Sequence, residues 1–267
     1  MRQRTALCAL ALVFCSRAAL AQIDPFEFEV YPARTVGHGM IEIESLNSLV
    51  ADGHSQGDEG TSGGTFPSQS MYRTALEVTY GLTDKIEFAA YINVAKPNGA
   101  WLQYAGSKYR VRGSLFEPGQ LWVDLGWYVE LEWNQVPAFN ASDLELELRP
   151  IIQKDWGPIE VDLNPKFEKA LVGSESGNGF EFGYIAGIYY NYVLWLSPGL
   201  EFYGGIGEMG DPEPLDDQQH YVFPVIRGEF SNGLEYNFGV GVGLTSGSDR
   251  VLVKLNIEYE RYLGTLF

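Results

Sequence analysis

From residue 38 onward the chain alternates apolar and polar positions with period two, the spacing of strands that turn one face to an apolar medium and the other to a polar one. Between Leu121 and Trp133, the residues Leu121, Val123, Leu125, Trp127, Val129, Leu131 and Trp133 alternate with Trp122, Asp124, Gly126, Tyr128, Glu130 and Glu132 without a slip of phase. Upstream, Tyr72, Thr74, Leu76, Val78 and Tyr80 share one face, and after Thr83-Asp84 so do Ile86, Phe88, Ala90, Ile92 and Val94. The alternation predicts about twelve strands, at roughly 38–50, 70–81, 85–96, 101–116, 121–133, 143–154, 158–171, 180–193, 199–208, 220–230, 234–244 and 250–262. The connections alternate too. Short ones fall at 83–84, 117–120, 155–157, 197–198 and 231–233, and longer ones at 51–69, 97–100, 134–142, 172–179, 209–219 and 245–249.

An even count of long amphipathic strands with alternating short and long connections is the pattern of a transmembrane barrel. Strands of about 9–13 residues suit a tilted bilayer crossing and exceed the 5 or 6 usual in soluble sheets. The expected fold class is therefore all-β: an antiparallel up-and-down β-barrel over residues 38–267, with both termini on the periplasmic, short-turn side. A soluble sandwich would also show Gly/Pro turns. The heavily aromatic apolar face and the charged polar face favour the membrane. Pro150 and Pro165, and again Pro224, fall within strands and mark expected breaks or bulges. Residues 22–37, with Phe26-Glu27-Phe28-Glu29-Val30, read equally as an extra strand, a lumenal plug or a periplasmic tail.

Composition adds boundaries and exclusions. Arg2 and Arg4, the apolar run from Ala6 to Phe14 and the small-x-small Ala19-Leu20-Ala21 make residues 1–21 a signal peptide. Both cysteines, Cys8 and Cys15, leave with it, so the mature chain has neither disulfides nor thiolate chemistry. The 18 Lys and Arg against 35 Asp and Glu give a net charge of −17, which excludes nucleic acid as a partner. An aromatic share of 14% excludes disorder.

The signal peptide, the amphipathic strands and the terminal Phe267 together resemble the outer-membrane β-barrel proteins of Gram-negative bacteria. The resemblance implies that Phe267 is the signal read by the outer-membrane assembly machinery. Thr79-Tyr80-Gly81-Leu82-Thr83-Asp84-Lys85-Ile86-Glu87 is in addition similar to the "YGLTDRIE" hairpin of outer-membrane transport proteins associated with phenol and hydrocarbon degradation. That likeness implies an apolar or aromatic solute.

Strand phase assigns the lumen. Lys108, Arg110 and Arg112 share the inner face of the fourth strand, with Glu87 on the third, Asp124 and Glu130 on the fifth, Glu147 on the sixth and Lys166 on the seventh. A tight turn at 117–120 would set Arg112 near Asp124 and Lys108 near Glu130, and the preceding hairpin Glu87 near Arg110, making a cross-strand ion-pair ladder. Such a ladder either rigidifies the wall or forms a constriction whose transverse field selects solutes. Inward acids, among them Glu42, Glu44, Glu77, Glu201 and Glu258, outnumber inward bases, so a passage would favour cations.

Catalytic and metal chemistry is sparse. The three histidines, at 38, 54 and 220, are too few and scattered for a His-based metal site. Asp216, Asp217 and His220 resemble an outer-membrane protease couple without its second acidic pair, and read better as solvated loop. His54-Ser55 lies in a Gly-rich loop, and the acids Asp211, Glu213, Asp216 and Asp217 lack Ca²⁺-loop spacing. Asn140-Ala141-Ser142 is a formal glycosylation acceptor that carries little weight in a bacterial host. No cofactor and no metal are expected. The outward Tyr72, Tyr80, Trp127, Trp133, Tyr184, Tyr190, Tyr192, Tyr236 and Tyr259 suit interface girdles. The expected function is a narrow channel or transporter for small solutes. A closed barrel whose loops contact partners is the alternative, and an outer-membrane hydrolase is a third reading. Expected partners are outer-membrane lipid and lipopolysaccharide, the assembly machinery and a small solute that the sequence does not name.

Overall fold

Long strands expose backbone donors and acceptors on both edges, and in a lipid phase these can be satisfied only if the sheet closes on itself. The computed structural model shows such closure. It describes residues 23–57, 65–136, 139, 142–173 and 175–264; the expected signal peptide, Phe267 and Asn140-Ala141 lie outside these residues. The strands are β1 (Met40–Asp52), β2 (Tyr72–Thr83), β3 (Ile86–Lys96), β4 (Gln103–Ser114), β5 (Asp124–Asn134), β6 (Ser142–Trp156), β7 (Ile159–Gly173), β8 (Glu181–Tyr190), β9 (Ser197–Glu208), β10 (Asp211–Pro212), β11 (Gln219–Glu229), β12 (Leu234–Gly243) and β13 (Val251–Tyr262). Every neighbouring pair is antiparallel; β13 pairs with β1 and β8 with β9, which closes a ring of twelve, and the two-residue β10 adds an extra pairing to the end of β9.

The alternation sorts side chains as expected. Ile43, Leu76, Ile92, Leu131, Leu163, Ile188, Leu200, Ile226, Val240 and Leu255, from ten different strands, all stand exposed on the outer surface. A continuous apolar band on a soluble protein would be an aggregation site, whereas in a bilayer it is the solvated face. Among the described residues no helix is long and apolar enough to cross a membrane.

Two connections depart from expectation. Leu121–Val123 continue the apolar alternation yet lie in the β4–β5 turn, which spans 115–123 and makes one of the nominally short connections long. Gly119, at φ 75°, turns the chain, and its amide donates to Asp124 Oδ1 at 2.6 Å. The second is the β8–β9 connection, which falls at 191–196 rather than 197–198 because Leu196 N donates to Val193 O (2.9 Å) to close a turn. Its Tyr192, Leu194 and Trp195 are exposed, so an apolar turn imitates strand in sequence.

The prolines interrupt pairing without shifting register. The β6–β7 ladder runs to Leu148 opposite Phe167 and resumes at Ile152 opposite Leu163, a register that sets Pro150 against Pro165. Neither ring can donate, so three successive pairs are lost together. Pro224 leaves a similar gap on the β12 side of β11, between Val222–Val242 and Val225–Gly239.

Residues 23–36 form no strand. Ile23 N donates to Gln219 of β11, Ser48 of β1 donates to Pro25 O, Lys254 of β13 to Phe28 O, and Val36 N to Glu87 of β3. A segment touching opposite walls of a closed ring lies inside it. Where it leaves the lumen the fit is tight: a Cβ on Gly81 would stand 2.0 Å from Gly37 O, so this glycine is required by a close backbone approach.

Placing a charge on the lipid face tests the membrane assignment. Leu76→Arg near the middle of β2 should lower stability by about 2–4 kcal/mol in urea unfolding from lipid vesicles. In a water-soluble barrel this exposed site would change stability by no more than about 0.5 kcal/mol.

Candidate functional site

The lumen is built by inward residues of the wall closing on the segment 23–36. Its first centre is Lys108 of β4, fully buried, whose Nζ meets Asp24 and lies 3.1 Å from Glu27, 3.2 Å from Glu130 and 3.8 Å from Glu132. Two of these carboxylates come from the segment and two from β5. Glu27 also takes Arg149 Nη1 of β6 at 2.9 Å, so it bridges bases on two strands.

Tyr31 is the second centre. Its ring has the guanidinium carbons of Arg112 at 4.7 Å, Arg110 at 4.8 Å and Arg149 at 5.6 Å, a cation–π arrangement that β4 and β6 converge to make. Asn164 of β7 accepts from Tyr31 N at 2.8 Å and donates to Tyr31 O at 3.0 Å, replacing the ladder partner that this extended backbone lacks. Arg110 Nη2 lies 2.7 Å from Glu77 and 2.9 Å from Glu87, and Arg112 Nε lies 2.7 Å from Glu87.

The third centre is Glu201 of β9. It takes Lys254 of β13, Tyr189 OH at 3.0 Å, Tyr203 OH at 2.7 Å and Asn237 Nδ2 at 2.7 Å. Phe28 packs beside it, 5.3 Å from the Tyr203 ring and 5.2 Å from that of Phe223.

The candidate lumen residues therefore come together unevenly. Lys108 and Glu130 pair and are joined through Glu27 to Arg149 and Glu147, Arg110 and Arg112 share Glu87, and Lys166 pairs with Glu168 at 2.6 Å. Asp124 joins none of these. The longer β4–β5 turn sets Arg110 opposite Glu130, Lys108 opposite Glu132 and Arg112 opposite Tyr128, leaving Asp124 across from Gln153. The expected Arg112–Asp124 neighbourhood is thus corrected by the turn length. Arg227 of β11 was absent from the expected inward bases, yet it pairs with Glu160 at 2.8 Å and lies 3.4 Å above the Tyr189 ring. Its phase with Tyr221, Phe223 and Val225, broken only by Pro224 between them, is the signal that finds it.

Beneath the long-loop end lies a cavity of about 290 Å³, walled by Phe28 of the segment, Met71, Arg73, Tyr221, Asp249 and Leu252 of the barrel, and His54, Phe66 and Phe139 of the loops. Ser68 donates to Asp249 at its edge. His220 makes no hydrolytic couple: its Nδ1 meets Tyr184 OH at 3.0 Å and its Nε2 meets Gln218 Oε1 at 2.8 Å, with neither Asp216 nor Asp217 on the ring. In the loop beside it, partial burial with Asp217 and Asp211 nearby raises the Glu213 carboxyl above its ordinary value.

No family model matches the chain, and no curated protein matches it. Among solved structures, an outer-membrane channel from Pseudomonas putida F1 is similar over 90% of this chain and 99% of its own, with a TM-score of 0.54 and 16% identity. The KdgM porin is similar over 82% of this chain and 98% of its own, with a TM-score of 0.52 and 9% identity. At these identities the likeness is one of fold: this chain has the architecture of outer-membrane β-barrels.

Removing a buried base should show how the segment is held. Lys108→Met leaves Asp24, Glu27 and Glu130 without their shared cation, a loss of about 3–5 kcal/mol for a broken buried pair. A cysteine placed at Ala33 should then react with a maleimide faster than the same cysteine in an otherwise unaltered chain, both prepared without residues 1–21, which hold the two native cysteines. Equal rates would mean that Lys108 does not hold the segment.

Proposed function

We propose that this barrel is an outer-membrane channel for small solutes, narrowed at mid-height by residues 23–36 acting as a plug. The observation that carries the reading is the cavity of about 290 Å³ resting on Phe28 of the segment, a chamber between long loops and constriction. Barrels of eight strands are filled by side chains and those of sixteen hold a water channel, so twelve strands leave room for a chamber and a plug together. Phe28, Met71, Phe66 and Phe139 suit the apolar body of a solute, in line with the apolar or aromatic compound that the hairpin resemblance implies. Ion leakage past the plug would favour cations, because acids outnumber bases along the wall. His220, bonded to Tyr184 and Gln218 and not to Asp216 or Asp217, lends no support to the hydrolase reading.

Planar-bilayer recording tests this. The intact mature protein should conduct weakly, and deletion of residues 23–36 should raise single-channel conductance several-fold with a reversal potential that marks cation preference. A folded deletion variant that conducts no better than the intact protein would refute the plug and support a closed, partner-binding barrel.

A further inference from the structure

Three adjacent strands carry glutamates in one transverse row. Glu44 of β1 stands opposite Glu258 of β13 on one side and Glu77 of β2 on the other, and Glu42 lies two residues along the same face. Like charges directly opposed across a ladder destabilise it, and here the row is on the lumenal face. Residues 23–36 then add a further acid, Glu29. Carboxylate oxygens of Glu29, Glu44 and Glu77 lie within 4.8 Å of one another, as do those of Glu42, Glu44 and Glu258, so Glu44 belongs to both groups.

Among the described residues one base pairs with this row, and it is shared: Arg110 divides itself between Glu77 and Glu87. It meets only one oxygen of Glu77. Glu77 is 1% exposed, and its Oε2 has no hydrogen-bond partner among the described residues; the buried Oε2 of Glu29 likewise has none. Leaving a buried charged oxygen unsatisfied costs more than an ordinary hydrogen bond returns. Two such oxygens, from wall and segment, point to something that both of them hold.

We propose that this row is a Ca²⁺ site, with the ion held by Glu29, Glu44 and Glu77 and with Glu42 and Glu258 completing the oxygen shell. The donor set is oxygen only, which suits a hard cation and not Zn²⁺ or Cu²⁺. Ca²⁺–oxygen distances of about 2.3–2.6 Å put opposed ligands about 5 Å apart, and oxygens within 4.8 Å of one another fit inside that span. Mg²⁺, at about 2.0–2.1 Å and with a reluctance to shed water, fits a wide all-carboxylate cage less well. Because Glu29 belongs to the segment and the other ligands to the wall, the ion ties the segment to β1 and β2. The site stands on its own geometry and holds whether or not the barrel conducts.

The test uses mature protein refolded from inclusion bodies, free of lipopolysaccharide and its bound cations, with folding verified by heat-modifiable gel mobility. After exposure to CaCl₂ and gel filtration, folded protein should retain stoichiometric Ca²⁺ by elemental analysis, and its melting temperature should be higher in CaCl₂ than in EDTA. Glu29→Gln, which leaves the wall untouched, should abolish both effects, and Glu213→Gln in a loop should abolish neither. Folded unaltered protein that retains no Ca²⁺ and melts identically in CaCl₂ and EDTA would overturn the site, whatever the variants do. Retention of stoichiometric Ca²⁺ by folded Glu29→Gln would overturn the assignment of Glu29.

Discussion

Charge taken out of water must be paired, and the interior of this barrel is organised around that requirement. Lys108, Arg110, Arg149, Lys166 and Lys254 are all at most 2% exposed. Each isolated charge would cost several kcal/mol. The wall alone does not supply every partner in place: Asp24 and Glu27 complete the shell of Lys108, Glu27 reaches Arg149, and the Phe28 carbonyl caps Lys254. The segment is therefore a structural component of the lumen, and its lack of strand pairing is offset by side chains such as Asn164 and Gln153 that bond its backbone.

The same requirement operates on the outside with the opposite sign. Lipid solvates no backbone polar group, so the strands close into a ring, and lipid welcomes apolar side chains, so the outward phase is apolar. The wall is least continuous where Pro150 faces Pro165, since three ladder pairs are missing there. Asn164, beside Pro165 in that gap, is the residue that turns inward to hold Tyr31. Loss of ladder pairing on the wall and gain of a partner for the segment thus meet at one place.

The barrel was legible in the sequence because period-two alternation reports directly which neighbour a side chain has, lipid or lumen. Thirteen residues in phase from Leu121 to Trp133 fixed the face of every residue there, and the structure moved only the strand start, to Asp124. Register was less legible. A turn residue such as Leu121 or Trp195 can be apolar for the sake of the membrane interface and so look like strand, and the error carried Asp124 into the network, although Lys108 does reach Glu130, at 3.2 Å. Least legible were Glu27, Glu29 and Tyr31. The partners of Glu27 and Tyr31 are 60 to 133 residues away, and Glu29 meets Glu44 and Glu77 on two different strands, all across the lumen and not across a hairpin, and no local spacing encodes that. Convergence of acids from β1, β2 and β13 on Glu29 was invisible for the same reason.

The most direct measurement is a double-mutant cycle between segment and wall, with Glu27→Gln and Arg149→Met made singly and together and unfolded by urea in lipid vesicles. A segment seated in the lumen should give a coupling energy of about 1–3 kcal/mol between the two positions. Additivity within about 0.5 kcal/mol would place Glu27 away from Arg149 and contradict the filled lumen.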